Sequence, residues 1–453
     1  MGYLPSFYGL AKALGGILLV SLASTAGLLY RYQTSLIYAA SFPPGSRTEV
    51  ATPDEFDIPF TEHQLTTPDG ERLRAFAMLQ GYRLARDKIR QIRSQQDLEP
   101  ERKSSPTHTA IVHTDVVDPH LAARRPTILF LHANAGNMGH RLPLAAVLYK
   151  RFGCNIVMLS YRGYGYSSGS PNENGIRIDA QTSLDWIRKH PQLSKTPVVA
   201  YGQSIGGAIA VDLASRNPKS VHALMLENTF LSIPELIPHV LPPVRPFAFL
   251  CREFWSSDLA ITKVAPNVPV LFLSGRKDEL VPPSHMDALY EKCRSTNKVW
   301  KAFEDGTHND TCVKPKYFET ISDFLLKYVV PRIQQDAATT ATPIDEAKSK
   351  DGSETPKARS GTIPLPSTSA SPSSSSSSTK GGRGGVGPGG EGSEDGDEWV
   401  KMSESDVLEA EKESLPLGMG GRAPENAQEV VGAVARAEKE EAEREERETR
   451  VEL

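Results

Sequence analysis

The stretch TPVVAYGQSIGGAIA, Thr196 to Ala210, opens as an apolar run with the character of a buried strand and ends in a serine hemmed in by Gly202, Gly206 and Gly207. A serine that only made a turn would not need three glycines around it. Gly202-Gln203-Ser204-Ile205-Gly206 is G-x-S-x-G, and it stands where that motif requires, between a strand and a helix. A turn this tight holds the serine in a strained backbone conformation, and side chains two residues to either side would clash. It lifts the Ser204 hydroxyl clear of a sheet and turns the Ile205 amide toward any oxygen that becomes negative during attack. The bland alternative is a glycine-rich helix start capped by a serine. The strand before Ser204 and the helix after it argue against that.

Outward from this point, Pro126 to Val330 repeats one theme of short apolar run, turn and helical segment. The runs are TILFLH, NIVMLSY, TPVVAYG, HALMLEN, VPVLFLSG and KVWKAF. Continuous apolar runs without alternation mean strands buried on both faces, so the expected class is α/β, a mostly parallel central sheet flanked by helices. Two earlier runs, EFDIPFTEHQLTT and RLRAFAML, fit an antiparallel start to the same sheet. The expected catalytic domain spans 50–332, with a polar insertion at 81–125 and a short cap at 231–264. Within the insertion, RLARDKIRQIR (Arg83 to Arg93) reads as a solvated surface helix or a short amphipathic helix on an anionic bilayer.

A serine hydroxyl is a weak nucleophile and needs a base that is itself oriented by an acid. This architecture calls for the order serine, acid, histidine. VPVLFLSG is followed by RKDELVPP, which places Asp278 in the loop beyond a strand's carboxyl end. KVWKAF is followed by EDGTHNDT, which places His308 in the next such loop. Ligands bind at that edge of open α/β sheets. Glu227, at the end of HALMLEN, is the rival acid; Asp278 is preferred for its strand-loop position and the LVPP that stiffens its loop. The first long strand ends in FLHANAGN, Phe130 to Asn137, where the amide of Asn134 would stand opposite that of Ile205 to complete an oxyanion hole.

Taken together, FLHANAGN, LSYRGYGYSSGSP, YGQSIGGAIA, LENTF, LFLSGRKDELVPPSHM and GTHNDT resemble the fungal bud-emergence (Bem-type) α/β-hydrolases and their animal relatives, the α/β-hydrolase-domain protein thirteen group. The resemblance runs from the apolar amino-terminal segment to about Val330. It implies an α/β-hydrolase fold, Ser204, Asp278 and His308 as charge-relay residues, Asn134 and Ile205 as oxyanion donors, and activity on palmitoyl thioesters. Members usually carry His-Gly-Asn where this chain has His132-Ala133-Asn134, an alanine at a position favouring glycine's backbone freedom. No metal or organic cofactor is implied. The Gly-rich SYRGYGYSSGSP lacks the lysine and helix geometry of a P-loop.

At the front, ALGGILLVSLASTAGLLY between Lys12 and Arg31 carries no charge and as a helix would reach roughly 27 Å, close to one bilayer core. A retained single-pass transmembrane anchor over 8–30 is the reading, with a cleaved signal peptide as its competitor. Tyr30, Tyr32 and Tyr38 are expected at headgroup depth. The few flanking charges lean toward a cytosolic amino terminus, and the membrane could be that of the endoplasmic reticulum, another endomembrane or the plasma membrane. MGYLPS fits the loose myristoylation pattern, with a bulky Tyr3 against it.

From Gln334 the composition changes to a Pro/Ser/Gly-rich run that cannot bury enough surface to offset its ordering entropy, so 334–453 reads as a disordered tail ending in a helix-prone, Glu/Arg-rich segment. With 51 basic and 55 acidic residues and a formal charge of −4, no global field argues for nucleic acid. The four cysteines show neither zinc spacing nor a disulfide framework. The expected partners are the lipid membrane, through the amino-terminal helix, and an acylated protein or lipid substrate; oligomeric state is not encoded in any pattern found. The leading expectation is a membrane-anchored serine hydrolase that cleaves an ester or thioester, a palmitoyl-protein thioesterase first. Behind it stand a lysophospholipid or acylglycerol lipase and a catalytically silent scaffold. The sequon Asn309-Asp310-Thr311 abuts His308, where a glycan would obstruct the site. No glycan is expected there, and a glycosidase-sensitive mass shift that disappears in Asn309→Gln would contradict this.

Overall fold

A computed structural model describes residues 7–84 and 114–333. The myristoylation pattern, most of the basic Arg83–Arg93 stretch and the tail from residue 334 lie outside the described residues. Ten strands are described: β1 (Thr61–Thr66), β2 (Arg72–Met78), β3 (Tyr82–Leu84), β4 (Thr114–Val116), β5 (Thr127–Leu131), β6 (Asn155–Ser160), β7 (Val198–Gln203), β8 (Ala223–Glu227), β9 (Val270–Gly275) and β10 (Lys298–Phe303). The helices are α1 (Phe7–Ile37), α2 (Leu142–Lys150), α3 (Glu173–Lys189), α4 (Ile205–Arg216), α5 (Ile233–Val240), α6 (Ser257–Ala260), α7 (Pro283–Lys292) and α8 (Tyr317–Tyr328).

Eight strands form one sheet in the order β1-β2-β6-β5-β7-β8-β9-β10, while β3 and β4 pair separately. Strand β2 runs antiparallel to both β1 and β6, and the pairs from β6 to β10 are parallel. Side chains alternate across a strand, so one residue in two feeds each face. Leu129 and Leu131 of β5 join one core with Val157, Ala200 and Leu224, whereas Ile128 and Phe130 join the other with Met158, Tyr201 and Met225. Both faces are therefore dry, which is why these strands read as unbroken apolar runs.

The chain enters the parallel part at β5, steps outward to β6 and returns to the far side of β5 as β7. That reversal leaves a crevice at the carboxyl ends of β5 and β7. In the register, Leu131 faces Gly202, so the loop after β5 and the turn after β7 leave the sheet side by side. The approach is close enough that a Cβ on Gly206 would lie 2.0 Å from the Leu131 carbonyl oxygen, and one on Gly202 would lie 2.1 Å from the Gly206 oxygen.

Helix α1 runs on from the apolar stretch to Ile37 with no proline or glycine to stop it after Gly27. Its last turns meet the 3-10 segment Pro242–Leu250, which lies between β8 and β9. Tyr38, expected at headgroup depth, is instead only 4% exposed. Its hydroxyl donates to Glu253 Oε2 at 2.6 Å and accepts from Trp255 Nε1 at 3.0 Å. The phenol is pushed up from its ordinary pKa by burial and by the Glu253 carboxylate. A tyrosine whose hydroxyl has two protein partners has no need of the bilayer interface. Because backbone atoms leave no room at Gly206, Gly206→Ala should lower stability by about 3 kcal/mol or prevent folding. Chemical denaturation of the purified chain measures this, and an unchanged midpoint would contradict the packing described.

Candidate active site

Ser204 follows β7 directly and precedes α4. Its backbone sits at φ 56° and ψ −122°, a region that costs a non-glycine residue of order 1–3 kcal/mol and persists only where the surroundings over-determine it. Here its amide donates to the Glu227 carbonyl at 2.9 Å and its carbonyl accepts the Thr229 hydroxyl at 2.6 Å. Both bonds come from β8 and the residues after it, so the neighbouring strand enforces the strained turn.

Asp278 and His308 come together three and five residues beyond the ends of paired strands, since Gly275 of β9 faces Phe303 of β10. His308 Nδ1 lies 2.8 Å from Asp278 Oδ2, with side chains 7% and 2% exposed. The other carboxylate oxygen, Oδ1, accepts the amides of Leu280 at 2.9 Å and Val281 at 2.7 Å. The aspartate is thus immobilised through one oxygen and offers the second to the ring. With Nδ1–H donated to Asp278, the basic lone pair is left at Nε2. The His308 carbonyl accepts Gln203 Nε2 at 2.9 Å, which ties the histidine loop to the residue before Ser204. Among the described residues the Ser204 hydroxyl has no hydrogen bond, to His308 or to any other group. Such bonds often close only around substrate.

The rival acid is otherwise engaged. Glu227 is fully buried and accepts hydrogen bonds from Tyr201 at 2.6 Å and from Tyr317. Burial pushes its carboxyl up, against the lowering effect of the two phenols. It holds the underside of the site together and does not hydrogen-bond the imidazole.

At the end of β5, the amide of Asn134 and that of Ile205, the first residue of α4, donate no hydrogen bond among the described residues. The leading amides of a helix have no intrahelical acceptor, so Ile205 is free to donate outward. Ala133 is not among the non-glycine residues at positive φ, so alanine meets no backbone penalty at this position. The preceding His132 is buried, donates Nδ1–H to the Ala133 carbonyl at 2.7 Å and stacks on Tyr161 at 4.2 Å. Burial pushes its pKa down to about 3, so the ring is neutral.

Sequence reasoning missed two features. One is Asn228, at φ 45°, a conformation asparagine tolerates better than most residues. Its amide nitrogen reaches the Thr307 carbonyl at 3.1 Å and the Thr311 hydroxyl at 2.9 Å, while its oxygen accepts the Gly275 amide at 2.8 Å. It joins the Asp278 loop to the His308 loop. An Asn directly after the strand run HALMLE was the only available signal.

The other is the strap of residues 37–49 behind α1, which buttresses the Asn134 loop. Asn134 Nδ2 donates to the Ile37 carbonyl at 2.5 Å, and Asn134 Oδ1 accepts from the Ala39 amide at 3.2 Å and from the Tyr164 hydroxyl at 2.7 Å. The Gly136 amide donates to the Phe42 carbonyl at 2.7 Å, and Asn137 Nδ2 reaches the carbonyls of Ser46 and Glu49 at 2.9 and 2.8 Å. Most of these are bonds to backbone atoms of the strap, which no residue pattern reveals.

The Gly-rich SYRGYG loop is held by charge. Arg162 is clamped between Asp179, at 2.8 Å, and Asp69, at 2.7 Å. Gly163 and Gly165 lie at positive φ, where a Cβ would meet Pro171 and Ser160, and among the described residues no group of side chains suits a metal ion.

A serine on a strained strand-to-helix turn, with an acid and a histidine on successive later loops of the same sheet edge, defines an α/β-hydrolase. The α/β-hydrolase-fold pattern matches residues 126–247. Protein bem46 of Schizosaccharomyces pombe is 44% identical over 300 residues, 66% of this chain and 87% of that protein. An uncharacterized membrane protein of Saccharomyces cerevisiae is 36% identical over 314 residues, covering 69% and 95%. The α/β-hydrolase domain-containing protein WAV2 of Arabidopsis thaliana is 33% identical over 346 residues, covering 73% and 96%. The chain belongs to the Bem46-type family of α/β-hydrolases.

Asn134→Ala keeps the backbone amide and deletes its three side-chain bonds. Turnover of a p-nitrophenyl ester should show kcat reduced roughly 10- to 100-fold with KM little changed. Asn134→Asp, which retains the acceptor side alone, should fall between the two. Unchanged kcat in a folded Asn134→Ala chain would mean that the strap does not set this loop.

Proposed function

We propose that this protein is a membrane-anchored serine hydrolase that cleaves an acyl ester or thioester through an acyl-Ser204 intermediate. The observation that carries the reading is the buried 2.8 Å contact of His308 Nδ1 with Asp278 Oδ2, on a loop tied to the strained Ser204 turn.

In this mechanism His308 Nε2 accepts the Ser204 proton as Oγ attacks the acyl carbonyl. The oxygen that becomes negative is received by the amides of Ile205 and Asn134. Collapse of the tetrahedral adduct breaks the bond to the alcohol or thiol, which leaves with the proton returned by His308. Water, deprotonated by His308, then attacks the acyl-serine carbonyl; the bond to Ser204 Oγ breaks, that oxygen regains the proton from His308, and the acid is freed. Asp278 fixes the tautomer and stabilises the imidazolium in both halves. Sulfur can depart as the thiolate before the proton reaches it, so a thioester demands less of the histidine in the first half.

Two features support a long acyl chain on the substrate. Helix α1 is long and apolar enough to cross a bilayer by length and composition. The region between β8 and β9 carries LIPHVLPPVRPFAFL, an apolar, proline-rich stretch packed against the last turns of that helix. Palmitoyl-protein thioester is the first substrate class, and lysophospholipid or acylglycerol the second.

Membranes holding the wild-type chain or Ser204→Ala, treated with a fluorophosphonate probe, should give a labelled band near 49.5 kDa for wild type alone. Labelling that survives in Ser204→Ala, or a folded wild type that stays unlabelled, would sink the reading. Comparing kcat/KM for an S-palmitoyl peptide and for palmitoyl-lysophosphatidylcholine separates the two substrate classes.

A further inference from the structure

The described end of α1 does not stand clear of the domain. Leu29, Gln33 and Leu36 form one wall of a small apolar cavity, and Leu241, Phe247 and Leu250 line the other. Polar bonds pin the contact at its rim. Gln33 Nε2 donates to the Leu250 carbonyl at 3.3 Å, the Arg252 amide donates to Gln33 Oε1 at 2.6 Å, and Arg252 Nη2 donates to the Tyr30 carbonyl at 3.0 Å. The Arg252 guanidinium also lies 4.3 Å from the centre of the Tyr30 ring.

Leu29 belongs to the uncharged stretch that ends at Tyr30, and Gln33 is only about 6 Å further along the helix axis. The region between β8 and β9 therefore touches α1 at the height where the helix leaves hydrocarbon. That region also turns apolar side chains outward. Phe249, next to the Leu250 contact, is 80% exposed, and Val240 is 44% exposed. From Leu236 to Arg252 the chain contains no carboxylate, while Arg245 and Arg252 are exposed. An apolar tip flanked by arginines suits the headgroup layer, where the ring enters the acyl boundary and the guanidinium groups meet lipid phosphates.

We propose that the Val240–Phe249 face seats in the interfacial layer of a phospholipid bilayer beside α1 and holds the sheet edge bearing Ser204 against the leaflet that supplies the acyl chain. The inference rests on the anchored acyl-hydrolase reading and adds to it a second, independent contact with the membrane. A single helix would leave the domain free to swing. The Gln33 and Arg252 bonds, together with a membrane-seated face, fix its orientation.

The test uses the full chain in phosphatidylcholine/phosphatidylserine liposomes, with a nitroxide placed in turn at Phe249→Cys, at Leu19→Cys within α1, and at Lys195→Cys on the opposite edge of the sheet. The unsubstituted chain gives the background from its own four cysteines. Power saturation should show Leu19 and Phe249 accessible to oxygen and shielded from a water-soluble nickel chelate, with Lys195 the reverse. A Leu19 label in lipid with a Phe249 label in water overturns the proposal and leaves the anchor standing. Spin–spin broadening at Phe249 would assign the face to a second copy and also overturn it. A Leu19 label in water overturns both. In parallel, Phe249→Glu should raise KM about ten-fold for an S-palmitoyl peptide held in vesicles and leave hydrolysis of soluble p-nitrophenyl acetate unchanged. An equal loss on both substrates, or on neither, counts against the membrane role.

Discussion

Everything at the candidate site hangs on one close approach, that of Gly206 to the carbonyl of Leu131. The glycines let the turn after β7 fold down onto the end of β5, and that contact brings the Ser204 turn beside the loop bearing Asn134. Ser204 cannot relax from its positive φ, because its amide and carbonyl are both bonded to β8 and the residues after it. Strain at the serine is thus maintained by packing supplied by two neighbouring strands. A larger residue at either glycine would displace the hydroxyl and the amide of Ile205 together.

The remaining groups are fastened by side-chain bonds to backbone atoms, which resist displacement better than contacts between two flexible side chains. Asp278 is held by two amides of its own loop. His308 is held through its carbonyl by Gln203, and its loop is joined to β9 by Asn228. Beneath them lies the buried Glu227, whose carboxylate accepts from two phenols and makes no bond to the imidazole. Preorganisation of this kind lets dipoles stabilise developing charge without reorganising at the moment of reaction.

The strap behind α1 gives the apolar helix a second meaning. Its carbonyls and one amide bind Asn134, Gly136 and Asn137, while Tyr38 enters a buried network with Glu253 and Trp255. The residues leaving the helix are therefore part of the wall of the site as well as a connection to it. The strap follows directly on the turns of α1 that contact the region between β8 and β9.

The α/β class, the succession of apolar strands and the positions of the candidate residues Ser204, Asp278 and His308 just beyond strand ends were legible in the chain itself. Continuous apolar runs require two dry faces, and a G-x-S-x-G between strand and helix leaves few local conformations. Local chemistry carries such information because each signal lies within a few residues. Three things were not legible: the burial of Tyr38, the hub at Asn228 and the bracing of Asn134 by residues almost a hundred positions earlier. The first joins side chains more than two hundred positions apart; the other two consist mostly of bonds between side chains and distant backbone atoms, and any residue can offer a carbonyl. The sequence by itself determined the sheet, its dry faces and which residues stand at its edge. Only the tertiary structure decided how the segment after α1 closes onto that edge, because that contact depends on where backbone atoms meet in space.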